Sequence, residues 1–384
     1  LATVALLLVV SPSRSGAAGP GAASWFFEGD QVSAFAGFAV ADAGDVNGDG
    51  FDDILVGAYL AETDDTDEGQ AFLFLGSPTG PSVTPDWMAE GDQDSATFGY
   101  AVAGAGDVHN DGFDDVIVGA FRFDATFEDE GKAWLYLGSA AGLSPTPAWT
   151  ATGAQLKSFF AASVDGAGDV NNDGFDDVIV GAWRHDAGET DEGVAFVFLG
   201  NAGGLGATPA WTAEGDQMDA YLGRSVAGAG DVDNDGFDDV IVGANGFGNG
   251  EPGEGQARVY LGSASGLAAT PVWTAESNQS NTELGFAVSG AGDVNGDGFD
   301  DVIVGAYKYN GTFGNSGRAW VHLGSASGPA AAAAWTADGT GINQELGRSV
   351  SGAGDINDDT YADLLVGARN YANGETGEGA MRVY

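Results

Sequence analysis

The sequence contains no cysteine, few basic residues and few histidines. Its 384 residues include 57 Asp and Glu against 12 Lys and Arg, and three histidines. The lack of cysteine excludes disulfides and thiolate metal sites. The shortage of Lys and Arg argues against nucleic acid or anionic lipid as a partner, because both need clusters of positive charge.

The excess of negative charge is correspondingly large. The formal net charge is −45, and six bound divalent cations would leave −45 + 12 = −33. Such an excess of one sign keeps a protein soluble and also attracts cationic partners. The sequence leaves both roles open.

Long apolar segments are also scarce. Residues 1–10 form an apolar run, followed by small residues as far as residue 23. This is typical of the hydrophobic region and cleavage zone of a secretory signal peptide, and it is too short to span a bilayer. We therefore predict a signal peptide remnant at residues 1–23 and a single domain over residues 24–384, secreted or at the cell surface. No other segment is apolar enough to cross a membrane.

What the sequence has in abundance is a strict repeat. A nine-residue pattern, Asp-x-Asn-x-Asp-Gly-Phe-Asp-Asp with small changes, recurs every 62 residues and defines six copies, which start at Asp45, Asp107, Asp169, Asp231, Asp293 and Asp355. A fixed period of tens of residues indicates one supersecondary unit stacked on copies of itself. With 65 glycines, alternating Val, Ile and Phe segments and no long helical periodicity, the unit is predicted to be all-β.

Each copy predicts four antiparallel strands. In the fourth copy, residues 223–230 and 239–244 form a hairpin around the acidic pattern, and residues 256–262 alternate as a third strand. Residues 266–273 supply a turn and a fourth strand that ends near Trp273. Four antiparallel strands per copy predict the blade of a β-propeller, with six blades, or seven if the sequence is truncated.

A tryptophan recurs in phase with the repeat. It stands every 62 residues, at Trp25, Trp87, Trp149, Trp211, Trp273 and Trp335. The shared position favours packing between blades over ligand stacking. The last copy ends after its third strand at Tyr384, so we expect the segment around Trp25 to complete the last blade and remove two exposed sheet edges.

The nine-residue pattern, here called the acidic loop, carries oxygen ligands at the spacing that suits a hard divalent cation. Four side chains and one backbone carbonyl of the first copy can turn inward: Asp45, Asn47, Asp49, Asp53 and the carbonyl of Phe51. Carboxylates this close repel one another by about 4 kcal/mol per pair at an effective dielectric of 20, and no Lys or Arg lies in any loop. We predict several Ca²⁺ sites, one per blade, because oxygen ligands in a flexible loop favour Ca²⁺ over zinc and Mg²⁺. The alternative is an acidic turn without metal.

The predicted ligand set recurs in the other five copies. It comprises Asp107, Asp111, Phe113 and Asp115; Asp169, Asn171, Asp173, Phe175 and Asp177; Asp231, Asp233, Asp235, Phe237 and Asp239; Asp293, Asn295, Asp297, Phe299 and Asp301; and Asp355, Asn357, Asp359, Tyr361 and Asp363. In the second copy His109 replaces the Asn ligand, and in the sixth Thr360 replaces the glycine. We expect weaker binding in both, because imidazole is a poor Ca²⁺ ligand and a β-branched residue resists positive φ. For His109 we expect an outward, solvated side chain rather than a zinc ligand.

The loops that follow each Gly-Ala lie at the opposite end of the blade from the acidic loops. These six rim loops span residues 59–68, 121–130, 183–192, 245–254, 307–316 and 369–378. They vary most between copies and mix acids with aromatics: Phe123, Trp183, Phe247, Tyr309 and Tyr371. Variable loops on a rigid scaffold suit ligand binding. The aromatics directly after Gly-Ala can instead fill the centre of the propeller, and both roles stay open.

Taken together, these residues resemble the FG-GAP repeats of the integrin alpha-subunit β-propeller and of related bacterial proteins. The Phe-Gly half of the motif stands at residues 98–99, 222–223, 284–285 and 346–347, and the Gly-Ala half at 57–58, 119–120, 181–182, 243–244, 305–306 and 367–368. The resemblance implies an adhesion or recognition module for a protein or a glycan. Because cysteines, a transmembrane helix and a leg domain are missing and the usual Pro after Gly-Ala is replaced, we expect a bacterial-type secreted or surface protein rather than an integrin subunit.

We expect no enzymatic activity. An enzyme needs an acid, base or nucleophile gathered at one break in the repeat, and the three histidines fall in different parts of different copies. Only His185 stands in a rim loop. The alternative function is that of a carbohydrate-active enzyme, or a noncatalytic module of one.

Overall fold

The computed structural model describes residues 25–29, 31–63, 65–375 and 377–384. That part of the chain contains 23 strands. This part of the chain has no helix that is long and apolar enough to cross a membrane. The chain divides into two compact units between Ala162 and Ser163. The predicted signal peptide remnant lies outside the described residues, and the single domain over residues 24–384 stays a prediction.

The first unit contains two four-stranded antiparallel sheets. The first sheet is formed by β1 (Ala39–Gly44), β2 (Asp53–Ala58), β3 (Gln70–Phe74) and β4 (Trp87–Glu90). The second sheet is formed by β5 (Ala101–Gly106), β6 (Asp115–Ala120), β7 (Lys132–Tyr136) and β8 (Trp149–Thr152). In both sheets the strands pair in chain order.

The second unit contains the remaining four sheets, apart from the first residues of β9. The third sheet comprises β9 (Phe160–Gly168), β10 (Asp177–Ala182), β11 (Val194–Phe198) and β12 (Trp211–Glu214); the fourth β13 (Leu222–Gly230), β14 (Asp239–Ala244), β15 (Gln256–Tyr260) and β16 (Trp273–Glu276). The fifth comprises β17 (Ala287–Gly292), β18 (Asp301–Ala306), β19 (Arg318–His322) and β20 (Trp335–Asp338); the sixth β21 (Leu346–Gly352), β22 (Leu364–Ala368) and β23 (Ala380–Val383). The all-β class and the antiparallel blade of a β-propeller are thereby confirmed.

One prediction about the outer strands is wrong. The fourth strand of a copy starts at its tryptophan instead of ending there, as β16 shows at Trp273. The fifth copy has Ala333 where the fourth has Pro271, and its fourth strand also starts at the tryptophan, so the proline does not set this boundary. The sixth sheet has three strands, and residues 25–29 form none. That the segment around Trp25 completes the last blade stays a prediction.

The second strand of each sheet is the most buried element. In β6, β10, β14 and β18 the sequence Asp-Val-Ile-Val-Gly-Ala is buried at every position. A continuous run of β-branched residues of this kind is covered on both faces. The predicted alternation of the third strand is confirmed: in β15, Val259 packs towards the fifth sheet and Tyr260 towards the third.

The two glycines of each motif allow neighbouring sheets to touch backbone to backbone. A Cβ atom on Gly57 would lie 2.0 Å from the carbonyl oxygen of Gly99, and one on Gly243 would lie 1.9 Å from that of Gly285. Any side chain at these positions would force the sheets apart. The Phe-Gly and Gly-Ala halves therefore belong together because they meet across two copies.

The recurring tryptophan packs between successive sheets, as predicted. Trp87 Nε1 donates a hydrogen bond to the carbonyl of Ser144 at 2.9 Å, and its ring stands edge-on to Tyr136 at 4.8 Å. Trp211 and Trp273 make the same bond 57 residues further along the chain. The indole thus joins the outer strand of one copy to the next copy.

Candidate functional site

Each acidic loop is the turn between the first two strands of a sheet. In the first copy the Asp45 carboxylate accepts the backbone N–H groups of Asp49 at 3.0 Å and Gly50 at 2.7 Å. Asn47 Oδ1 also accepts the N–H of Asp49. Gly50 has φ of 87°, which glycine adopts without a steric penalty. These bonds curl the backbone around the side-chain oxygens.

The last aspartate of the loop is buried at the start of the second strand. Asp53 is 1 % exposed and accepts the N–H groups of Val46 at 3.1 Å and Gly76 at 2.6 Å. Burial raises the pKa of this carboxyl to about 6. The same cause raises the pKa to about 6 in Asp115 and Asp301 and to about 7 in Asp177 and Asp239. A cation in the loop would favour the ionised form of these buried acids.

Predicted ligands come closest together in the fourth copy. Oxygens of Asp231, Asp233 and Asp239 lie within 4.8 Å of one another. Asp233 Oδ1 is a buried atom without a hydrogen-bond partner, and Asn171 Oδ1 in the third copy is another. A buried oxygen left unpaired costs free energy that a bound cation would recover. These residues therefore fit a hard divalent cation.

The other loops are less closely assembled. Among the residues that the structure describes, no three carboxylates meet within the same distance in the first, third, fifth or sixth loop. The remaining predicted ligands, including the carbonyl of Phe51 and its equivalents, stay predictions.

His109 in the second copy lies inside its loop, so the expectation of an outward, solvated side chain is wrong. Its Nδ1 lies 3.1 Å from Asp115 and 3.6 Å from Asp107, and its Nε2 lies 2.9 Å from Asp111. Burial lowers the pKa of His109, but the hydrogen bond to Asp115 and the charges of Asp115, Asp111 and Asp107 together outweigh burial and raise it. The attraction of three carboxylates explains why the ring turns inward.

Sequence reasoning missed the role of the eighth residue of the acidic loop. Asp114 Oδ2 accepts the N–H of Asp45, in the preceding copy, at 2.7 Å, and Asp238 does the same for Asp169 at 2.8 Å. The pair of consecutive aspartates at the end of the pattern could have indicated this role. Its first member ties the loop to the preceding copy, while its second points into its own loop.

A glutamate at the end of the rim loops was also missed. Glu130 is fully buried and accepts the N–H groups of Ala125, Thr126 and Phe127. Equivalent bonds are made by Glu68, Glu192, Glu254 and Glu378. The recurring Glu-Gly before the third strand was the signal. This carboxylate holds the backbone of a rim loop in place by accepting its N–H groups.

The rim of the first unit carries a continuous aromatic cluster. Tyr59 lies 4.5 Å from Phe38 and 5.6 Å from Phe35, measured between ring centroids, and Tyr100 lies 4.4 Å from Phe121. Tyr59 and Tyr100 join the two pairs at 5.4 Å. Phe35 and Phe38 remain 53 % and 51 % exposed. Large apolar side chains with this exposure are typical of an interaction surface.

The five rim-loop aromatics that were predicted to bind a ligand all contact other side chains of the protein. Phe123 packs edge-on against Trp134, and Tyr309 packs in the same way against Trp320. They support their own sheets, as does Phe247, which packs against the core of the second unit. Trp183 stands 5.3 Å from Tyr221 in the second unit. Tyr371 is partly buried against the sixth sheet.

The other two histidines support the core. His185 stands edge-on to Phe196, and burial lowers its pKa. His322 stands edge-on to Trp273, and its Nδ1 lies 2.9 Å from the carbonyl of Ala330. His185 is thus held by packing within its own sheet, and His322 by packing against the preceding sheet.

Residues 38–74, 222–261, 284–322 and 346–384 match the FG-GAP repeat. The chain is also 30% identical over 244 residues to integrin alpha-5 of Xenopus laevis, covering 61% of this chain and 22% of that protein. It is 37% identical over 166 residues to integrin alpha-IIb of Homo sapiens, covering 41% of this chain and 16% of the relative. The chain thus spans about a fifth of the length of the curated relatives it matches.

Solved structures show a weaker likeness. An exotype rhamnogalacturonan lyase, YesX, aligns with a TM-score of 0.45 at 13% identity, covering 87% of this chain and 54% of that chain. BBS1N, solved in complex with ARL6DN, aligns with a TM-score of 0.48 at 10% identity, covering 88% of this chain and 76% of that one.

Proposed function

We propose that this chain, an integrin-alpha-like FG-GAP repeat protein, is an adhesion or recognition module that acts outside the cell, either secreted or on the surface. The aromatic cluster of Phe35, Phe38, Tyr59, Tyr100 and Phe121 carries the proposal, because it leaves two large rings half exposed on a rigid scaffold. Its ligand is a protein or a glycan. The known placement of integrin alpha relatives at the cell surface supports the location.

The recognition test compares binding by the full chain and by a double variant. An array of secreted proteins and glycans is probed in millimolar Ca²⁺. Phe35→Ser with Phe38→Ser should weaken binding to any ligand found by at least about tenfold, since each buried aromatic anchor contributes on the order of 2 kcal/mol. Phe127→Ser is the control, because this exposed ring of the first unit lies outside the cluster. Unchanged binding by the double variant would overturn the assignment of this surface.

The acidic loops, in this proposal, hold Ca²⁺ that stabilises the fold. Asp231, Asp233 and Asp239 are the best supported ligands, because three of their oxygens converge and one is buried without a partner. Bound Ca²⁺ would neutralise the clustered carboxylates and fix the turn. The remaining loops would bind in the same way, most weakly in the second and sixth copies.

Thermal unfolding of the full chain in millimolar Ca²⁺ and in excess EDTA tests the metal. Each site at about 100 times its dissociation constant adds about 2.7 kcal/mol, so several sites should raise Tm by tens of degrees. Asp233→Ala should remove part of that rise, while Glu189→Ala, at an exposed acid of the same unit outside the acidic loops, should not. Identical curves in Ca²⁺ and EDTA would show that the loops stand without metal.

A further inference from the structure

The first unit contains a cavity of about 460 Å³ between its two sheets. The wall on the first sheet is formed by the end of β4, including Glu90, together with Asp92 just beyond it; the wall on the second is formed by β7. Neither the acidic loops nor the aromatic cluster contributes a residue. The cavity is therefore separate from both sites described above. Its volume is that of a pocket for a small ligand.

Three side chains of β7 present hydrogen-bond donors to this cavity. Lys132, Trp134 and Tyr136 alternate along the strand and so lie on one face. Within the described part of the chain, Lys132 Nζ, Trp134 Nε1 and Tyr136 Oη have no hydrogen-bond or ion-pair partner. By contrast, the recurring tryptophans bond the next copy through Nε1, as Trp87 does to Ser144.

The free ammonium group of Lys132 is a departure from the repeat. The equivalent Gln256 in the fourth copy donates to Glu276 at 2.8 Å, and Arg318 in the fifth is held by both oxygens of Asp338. Opposite Lys132 on β8 stands Thr152, which offers no charge. The ammonium instead rests 4.7 Å from the centroids of two rings, Phe123 and Trp134. Burial lowers its pKa, which an anion beside it would reverse.

The cavity combines one cation with two acceptors. Glu90 and Asp92 line it opposite the strand of donors. A peptide rich in carboxylates would meet these two acids and the net charge of −45. A ligand with a single carboxylate and several hydroxyl groups matches both walls, because the hydroxyls donate to Glu90 and Asp92. The ring of Phe123 and the prolines at 145 and 147 supply the apolar surface.

We propose that this cavity binds a uronic acid residue, that is, a sugar carrying one carboxylate, with the carboxylate at Lys132 and hydroxyl groups at Glu90 and Asp92. The inference goes beyond the adhesion function, since it names a second binding site on a different surface. It stands or falls independently of the aromatic cluster, because the double variant at Phe35 and Phe38 leaves this cavity unchanged.

Titration calorimetry of the full chain with three small probes tests the chemistry. The probes are glucuronate, glucose, which lacks the carboxylate, and acetate, which lacks the sugar. Glucuronate should bind with one-to-one stoichiometry. Glucose and acetate should bind at least about tenfold more weakly, because glucose has no carboxylate for Lys132 and acetate has no hydroxyl groups for Glu90 and Asp92. Equal affinity for acetate or glucose, or no binding of glucuronate, would overturn the proposal.

Matched variants locate the site. Lys132→Gln introduces the residue found in the first and fourth copies and should weaken glucuronate at least about tenfold. In the fifth copy, Asp338 stands at the position of Thr152 and holds Arg318. Thr152→Asp leaves every residue of the cavity wall in place but gives Lys132 an ion-pair partner, so it should also weaken glucuronate binding. Arg318→Gln is the control and should leave affinity unchanged. Tm confirms that each variant folds; full affinity in folded Lys132→Gln contradicts the assignment.

Discussion

At the scale of single residues, Thr360 is the clearest conflict between sequence and backbone. It has φ of 78°, while the glycines at this position of the other loops, such as Gly298, have φ near 90°. The left-handed region is costly for a β-branched side chain. The sixth loop therefore adopts the conformation of its sister loops against the preference of its own residue.

We expect Thr360→Gly to stabilise the metal-free protein by about 1 kcal/mol, the left-handed penalty less the added flexibility of glycine in the unfolded chain. Urea unfolding in EDTA measures the change without interference from metal. Gly298→Thr, the reverse substitution in the fifth copy, should destabilise the protein by a similar amount. A neutral or destabilising Thr360→Gly would mean that the threonine side chain makes a compensating contact.

The residues that the sequence did not predict share a physical cause. The alternation of oxygens identified Asp45 and its partners because their role is local to one loop. Asp114 acts on a backbone N–H of the preceding copy, and no local pattern displays that target. His109 was misplaced because its exposure depends on three carboxylates that close around it only in the folded loop.

At the scale of elements, five of the six rim loops are organised by one glutamate carboxylate each. In the loop of residues 121–130, Glu130 accepts hydrogen bonds from successive backbone N–H groups and so fixes the backbone path of the exposed residues. The fifth copy has Ser316 instead, which accepts the N–H of Gly311 at 3.3 Å. Variable loops thus share a constant support, which lets their tips change without loss of shape.

Glu130→Ala should cost about 2 to 4 kcal/mol, because three N–H groups lose a charged acceptor. Urea unfolding measures this cost, and limited proteolysis should show faster cleavage within residues 121–130. Ser316→Ala is the control and should cost less than about 1 kcal/mol. Equal losses for the two variants would argue that the carboxylate has no special role.

Strand order and class were predictable at this scale, whereas the outer boundary was not. Hairpin turns, glycines and alternation fix β13 to β15 within a residue or two of their predicted positions. The fourth strand was shifted because an apolar residue such as Trp273 fits a strand end and a strand start equally well, so the sequence alone does not place this boundary.

At the scale of the whole molecule, buried acids couple stability to pH. The folded pKa values of about 6 to 7 exceed the unfolded value of about 3.9. The metal-free folded state therefore holds more protons than the unfolded chain between about pH 4 and 7, and its stability should fall as pH rises through this window.

Tm in EDTA should accordingly decrease from pH 4.5 to pH 7.5, and excess Ca²⁺ should abolish the decrease by replacing protons with a cation. Asp239→Asn removes one titrating acid and should make the decrease smaller. Glu189→Gln, at an exposed acid of the second unit, is the control and should leave it unchanged. A Tm in EDTA that rises over this range would contradict the assignment of raised pKa values to the buried aspartates.

The bond that an aspartate of one copy makes to the acidic loop of the preceding copy has a consequence for how such a gene can lengthen or shorten. Asp238 closes the loop that starts at Asp169, 69 residues upstream, which is one period of 62 plus seven. Recombination that adds or removes a whole period recreates this pair wherever the downstream copy carries the aspartate, which only the sixth copy replaces, with Ala362. An event of any other length leaves a loop without its carboxylate. Selection on folding alone would therefore keep the array growing by complete copies.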